Sequence, residues 1–99
     1  MNIQFDMGQY KVKIDGDGLE EAPWVITGVT GESATSAVAM VEQMVIKKMM
    51  DNTGLDWFIS GTELLGLSGK HIAKLTVGVR GFDKTRDFYF DVSEAFKGE

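Results

Sequence analysis

The chain contains no cysteine. Disulfide bonds, thiolate nucleophiles, cysteine-ligated zinc and iron–sulfur clusters are therefore excluded. The single proline, Pro23, leaves no proline-rich linker that could divide the chain. With 99 residues, of which 43% are hydrophobic and 25% charged, the composition is that of an ordinary globular protein. We expect one domain that covers residues 1–99.

Signals for export or membrane insertion are also missing. The segment Met1–Tyr10 lacks the basic flank and the apolar run of a signal peptide. The longest apolar run in the central part of the chain, Ala37–Val41, is far shorter than a membrane span. We therefore expect a cytoplasmic protein that does not bind membranes.

Basic charge is scarce. Ten basic side chains stand against fifteen acidic ones, and the net charge of -5 disfavours nonspecific binding to phosphate backbones. The acidic excess lies near the front, where residues 1–32 carry six acids and two lysines. A turn that contains Asp15, Asp17, Glu20 and Glu21 is predicted to face a partner protein with a basic patch. The alternative is a solvated turn that aids solubility.

The same acidic run, "DGDGLEE", fails as an EF-hand calcium loop. Counted from Asp15, Leu19 stands where an oxygen ligand belongs, and Glu20 replaces the glycine of the sharp turn. Ile26 occupies the position of the bidentate glutamate. An irregular, weak cation site is left as an alternative to the solvated turn, and no metal is assigned.

Catalytic patterns are absent as well. His71 is the only histidine, and the nearby Ser68 lies in "GLSGK", which lacks the second glycine of a nucleophile elbow. In "GTELLGLSGK", Leu67 stands where a phosphate-binding loop needs its lysine. We predict no catalytic residue and no cofactor, and expect a non-enzymatic protein.

Alternating apolar and polar residues predict most of the chain to be strand. In "NIQFDMGQYKVKID" the alternation changes parity at Gly8, which indicates a β-bulge or a turn between two short strands. "WVITGVT" and "LDWFIS" are further strands, Ser60 and Glu63 have capping-box spacing for a short helical turn, and residues 71–92 predict a hairpin with a turn at "DKTR". The predicted fold is α+β, in the order β-β-α-β-short α-β-β. A mainly antiparallel sheet of about five strands has one long helix across one face.

That helix is predicted for "SATSAVAMVEQMVIKKMMDN", residues 33–52. One apolar stripe is predicted to pack on the sheet, and consists of Ala34, Val38, Val41, Val45 and Met49, flanked by Ala37 and Met44. Ile46 and Met50 lie outside this stripe and, with Gln43 and Lys47, are predicted to bind a partner protein. Their alternative covers are a short helical turn at residues 62–66 and the C-terminal "AFKG".

A second functional hypothesis places nucleic acid on the C-terminal hairpin. Its candidate residues are Lys74, Arg80, Lys84, Arg86 and the possible stacking ring of Tyr89. Asp87 and Asp91 lie on the same strand face as Tyr89 and are expected to pair with these bases, which makes nucleic acid the less favoured partner.

The leading hypothesis is a non-enzymatic protein-interaction module that occupies a surface of its partner or forms a homodimer. Its size and charge suit a phage or mobile-element inhibitor of a host machine, or a small assembly subunit. The doubly apolar helix and the acidic front half carry this hypothesis, since each catalytic template fails.

Overall fold

A computed structural model describes residues 2–96, without the side chain of Leu67. Within that range, one α-helix lies on one face of a six-stranded sheet. The elements in chain order are β1 (Asn2–Met7), β2 (Tyr10–Asp15), β3 (Trp24–Thr27), α1 (Ala34–Asp51), β4 (Trp57–Leu67), β5 (Lys70–Val79), β6 (Thr85–Asp91) and a 3₁₀ turn (Ser93–Phe96). The predicted α+β class with one helix across the sheet is confirmed.

The sheet order is β1-β2-β3-β6-β5-β4, so two antiparallel three-stranded halves meet at its centre. They meet where β3 runs parallel to β6, with Trp24 beside Phe90. The sheet is therefore mixed and has six strands, compared with the mainly antiparallel sheet of about five strands that was predicted. Helix α1 connects the last strand of the first half, β3, to the outer edge of the second half, β4.

The change of parity at Gly8 marks a turn between two strands. Met7 pairs with Tyr10, and Gly8 has the positive φ of 60° that the first central residue of a two-residue hairpin turn requires. The register places Ile3 opposite Ile14, so the apolar residues of β1 and β2 share the face that packs on the helix.

The predicted short helical turn at Ser60–Gly66 is wrong, because these residues belong to strand β4. Continuous pairing with β5 satisfies backbone groups over nearly the whole strand, with a local irregularity between Ile59 and Gly61. The hairpin closes at Ser68 and Gly69, whose φ values of 52° and 77° are those of a type I′ turn. Pairing with β5 therefore overrides the local capping-box pattern.

The predicted hairpin of the last two strands is confirmed, although its turn is displaced. Gly78 pairs with Thr85, so the connection spans residues 80–84, and Arg86 of the predicted turn "DKTR" lies within β6.

The core lies between the inner face of the sheet and helix α1. Trp24 packs at its centre, stacked on Phe88 with ring centroids 5.6 Å apart and tilted against Phe90 at 5.1 Å. The buried helix residues are Ala34, Ala37, Val38, Val41, Glu42, Val45, Ile46 and Met50.

The prediction that Ile46 and Met50 are uncovered is wrong, since their exposed fractions are 0% and 8%. The buried face of α1 is rotated relative to the predicted stripe, and Met44 is exposed although it was expected to flank the packed side. Trp57 and Ile59 of β4 pack against the same core as Ile46 and Met50, in place of the predicted helical turn. The other expected cover, "AFKG", extends past Phe96 outside the described residues.

Candidate interaction cleft between helix α1 and strand β4

Strand β4 forms one edge of the sheet. Its eleven residues, "WFISGTELLGL", pair with β5 on one side, and no other strand of residues 2–96 pairs with the opposite side. Natural edge strands are commonly protected by lysine, by proline or by being short. β4 has neither residue type, and Glu63 is its one charged side chain. The irregularity next to Ser60 is its one local interruption of pairing with β5. Because a charged side chain and a bulge also protect edge strands, β4 has part of this protection, while no strand of residues 2–96 covers its outer side.

Helix α1 leaves a cleft along the inner face of β4. The part near the start of β4 is here termed the methionine cleft and has a volume of about 300 Å³. Its lining residues are Met40, Gln43, Met44, Lys47, Trp57 and Ile59. The exposed fractions of Met40 and Met44 are 60% and 45%, so large, flexible apolar side chains face solvent there.

The end of the methionine cleft is fixed by polar contacts. The indole N–H of Trp57 donates to Oδ1 of Asp51 at 2.9 Å, and Lys47 donates to the other carboxylate oxygen. These two hydrogen bonds hold the pKa of Asp51 below its ordinary value, the Lys47 bond having the larger effect. Because Trp57 is tied to the last residue of α1, the wall of the cleft keeps a defined position.

A second concavity, here termed the Glu42 pocket, adjoins the methionine cleft through the shared residue Gln43. It has a volume of about 350 Å³ between the N-terminal half of α1 and the middle of β4. Its walls include Val38, Leu64, Leu75 and Phe96. Leu64 is 53% exposed, so this pocket also has a large apolar side chain at its surface.

Glu42 is a buried acidic side chain in the wall of this pocket, and its Oε2 atom has no hydrogen-bond partner. Burial raises the pKa of Glu42 from 4.5 to about 7, because the charged carboxylate is separated from water. An unsatisfied buried polar group is costly, and native proteins contain few of them.

The other partner-binding residues predicted from the sequence are divided between two regions. Gln43 and Lys47 of α1 are exposed and line the methionine cleft. The acidic turn connects β2 to β3, three strand positions from β4, so the sheet does not bring it beside the cleft.

Within the acidic turn, Asp15, Asp17, Glu20 and Glu21 are all exposed. Asp15 accepts a hydrogen bond from the backbone N–H of Gly16, and Glu20 accepts one from the hydroxyl of Tyr89 at 3.3 Å. Among residues 2–96, no three histidine, aspartate or glutamate side chains are placed to hold a metal ion together. The turn is ordered by its own contacts with the sheet.

Two of the four cations of the candidate nucleic-acid surface are paired with carboxylates. Lys74 lies 3.7 Å from Asp87, and Arg80 lies 3.1 Å from Asp56. The guanidinium of Arg86 lies 4.8 Å from the ring centroid of Phe88, while Tyr89 is hydrogen-bonded to Glu20. Lys84 is exposed in the connecting loop. Pairing of this kind lowers the positive potential that a phosphate backbone would meet.

His71 is held in a structural arrangement. Its ring stacks on Phe96 with centroids 4.6 Å apart, and its backbone N–H donates to Oγ of Ser93 at 3.0 Å. Ser68 occupies the tight turn between β4 and β5.

No family model, curated protein or solved structure gives a significant match to the chain. In the described part of the chain, no helix combines the length and the hydropathy needed to cross a membrane.

The residues that sequence reasoning missed are Met40, Glu42, Trp57, Ile59 and Leu64. A usable signal existed for Glu42, because Val38, Glu42 and Ile46 are spaced by four residues and lie on one side of a helix. If Ile46 is buried, its neighbour Glu42 is expected to be buried too. The exposure of Met40 and Met44 carries no comparable sequence signal, since methionine suits a core and a binding surface equally.

Proposed function

We propose that this chain is a non-enzymatic protein-interaction module whose partner protein binds along the cleft between α1 and β4. The observation that carries the proposal is the exposed apolar surface of Met40, Met44 and Leu64 beside an edge strand without lysine or proline. Isolated exposed apolar residues are common, whereas a continuous apolar surface next to open backbone hydrogen-bonding groups favours a binding role.

The proposed occupant is an extended segment of the partner that adds a strand to β4. In this mode of recognition, backbone hydrogen bonds supply affinity and alternate side chains supply specificity. The side chains of such a strand that point to the helix side would meet Met40 and Met44, which project from α1 next to Trp57 and Ile59. Burial of the exposed parts of the two methionines, 60% and 45%, would contribute on the order of 1.5 to 3 kcal/mol before the costs of association.

Affinity purification from the native host, with the bound protein identified by mass, tests the proposal. The captured partner is then purified and its Kd measured with the wild-type chain, with Met44→Glu and with Val25→Glu. Val25 is a matched control, since its exposed fraction of 40% is close to the 45% of Met44 but it lies on β3, on the face of the sheet away from the helix. We expect Met44→Glu to raise Kd at least about 30-fold, which corresponds to about 2 kcal/mol.

Equal affinity of Met44→Glu and wild type would overturn the assignment to this cleft. Light scattering at several concentrations distinguishes a different protein from a second copy of the chain. A doubled mass that Met44→Glu returns to the monomer value would assign the cleft to a homodimer. The more specific role of this chain, a phage or mobile-element inhibitor of a host machine or a small assembly subunit, stays a prediction.

A further inference from the structure

The Glu42 pocket has two ionisable lining residues, and both are acidic. They are Glu42 on α1 and Glu63 on β4, and no lysine, arginine or histidine lines the pocket. Glu63 pairs with Lys74 in the register of β4 and β5, which directs its side chain to the other face of the sheet, so Glu42 supplies the negative charge. The remaining wall is mainly apolar, with Val38, Leu64 and Leu75 among its side chains. The pocket therefore combines an apolar passage with negative charge.

Two basic side chains of neighbouring elements, Lys47 on α1 and Lys74 on β5, are paired with other carboxylates. Lys47 binds Asp51 at the end of the helix, and Lys74 lies beside Asp87. The 8% exposure of Glu42 leaves little contact with water to replace a missing partner. A carboxylate in this position gains most from a cation or another hydrogen-bond donor that enters from outside the chain.

We infer that the Glu42 pocket receives a lysine or arginine side chain from the partner strand bound at β4. This inference rests on the proposed function and adds the chemistry of the residue that fits there. The aliphatic stem of such a side chain would pack on Val38 and Leu64, and its charged head would lie at the carboxylate of Glu42. An apolar residue would fill the pocket but leave the carboxylate unsatisfied, and an acidic residue would be repelled.

The volume of the pocket and the charge of the chain favour the same occupant. About 350 Å³ lies at the lower end of the range for ligand pockets, which suits one long side chain better than a large cofactor. The net charge of -5 favours the approach of a basic partner segment.

The inference can be tested without the partner, by NMR titration with butylguanidinium as a probe of the arginine side chain. Butylurea, its neutral counterpart of similar shape, serves as the matched ligand. We expect butylguanidinium to shift the carboxyl carbon of Glu42 and the methyl groups of Leu64, and to bind at least about tenfold more tightly than butylurea. Glu42→Gln should remove this preference, whereas Glu32→Gln, at an exposed position outside the pocket, should retain it.

Equal binding of the two probes, or a preference for butylguanidinium that survives Glu42→Gln, would overturn the inference. The amide spectrum of Glu42→Gln verifies that the nearly isosteric variant is folded. Binding should also weaken between pH 8 and pH 5.5, because the carboxyl group takes up a proton in this range. Glu63→Gln should leave binding nearly unchanged, because the exposed Glu63 side chain lies on the other face of β4, opposite Lys74.

The probe titration and the Met44→Glu binding experiment can fail independently of each other. If the probes fail while Met44→Glu still abolishes binding of the partner, the basic side chain is refuted and the interaction module stands. If the probes bind at Glu42 while Met44→Glu leaves the affinity for the partner unchanged, the pocket stands and the proposed cleft does not.

Discussion

The two edges of the sheet differ in length, in charge and in what covers them. β1 has six residues, and its apolar side chains Ile3, Phe5 and Met7 are half-buried against the core. β4 has eleven residues, with exposed Phe58 and Leu64, and two exposed methionines of α1 lie beside it. One helix is therefore wide enough to cover the centre of a six-stranded sheet but leaves part of the outer strand β4 exposed. That uncovered part is where the binding surface is proposed.

The largest expected loss of stability comes from substitutions on the side of α1 that packs in the core. Ile46→Ala should destabilise the protein by about 3 to 4 kcal/mol, because it leaves a cavity at a fully buried position. Met44→Ala should change stability by less than about 0.5 kcal/mol, since its side chain faces solvent over β4. Urea denaturation measures both. Similar losses for the two variants would contradict the different roles assigned to these two helix positions.

Lysine substitutions on the two edge strands test directly which edge binds the partner. Thr62→Lys on β4 should weaken partner binding by about tenfold or more, because a charged side chain on an edge strand disfavours the addition of another strand. The new lysine would also occupy the Glu42 pocket, which Thr62 lines. Gln4→Lys introduces the same side chain on β1 and should change Kd less than about twofold. Calorimetric titration with the purified partner gives both values. A larger loss for Gln4→Lys would move the interface to the β1 edge.

The two edges also differ in how their acidic side chains are paired. The pocket beside β4 contains the carboxylate of Glu42 without a partner, whereas Asp6 on β1 faces Lys11 across the hairpin. The pKa of Glu42 is about 7 in the folded chain and ordinarily 4.5, so between these pH values the folded state holds a proton that the unfolded chain releases. The associated stability is fully present below about pH 4.5 and is lost as the pH rises through 7.

Glu42→Gln lacks this titration. Relative to wild type, the variant should gain about 2 kcal/mol of stability between pH 5 and pH 8, after allowance for partial solvation. Urea denaturation at both pH values checks the gain, and Glu32→Gln provides the exposed control. An identical pH dependence of wild type and Glu42→Gln would show that the Glu42 carboxyl does not titrate in this range.

The smallest effect concerns the turns that lead to the two edges. Each is a two-residue turn, with Gly8 in its first central position near β1 and Gly69 in its second near β4. Ser68 precedes Gly69 and has a φ of 52°, which asparagine tolerates better than serine. Ser68→Asn should therefore raise stability by about 0.5 kcal/mol, measured as a shift of the urea midpoint. A decrease would indicate that the hydroxyl of Ser68 has a role beyond the turn.

Part of the fold was predictable because it depends on local periodicity. Alternation predicted strand structure in the segment that forms β1 and β2, although not its division into two strands, and it predicted the β5–β6 hairpin. Helical spacing predicted α1 with its N-terminal boundary at Ser33 and Ala34. The capping-box spacing of Ser60 and Glu63 misled, since pairing with the next strand of the hairpin, β5, decides that segment.

The candidate site was predicted only in part. Gln43 and Lys47, predicted to bind a partner, line the cleft, whereas Ile46 and Met50 turn into the core. A helix with apolar residues around most of its circumference can present several faces to a sheet. Its rotation is then decided by the side chains it meets, here those of Trp57 and Ile59.

The sequence by itself determined the α+β class, the position of the long helix and the absence of thiol chemistry, because these follow from composition and short-range periodicity. Tertiary structure alone decided that β4 is an edge, that Met40 and Met44 face solvent, and that Glu42 is buried without a partner. The reason is physical: strand order and helix rotation minimise exposed apolar area over the whole chain, and residues far apart in sequence contribute to that balance.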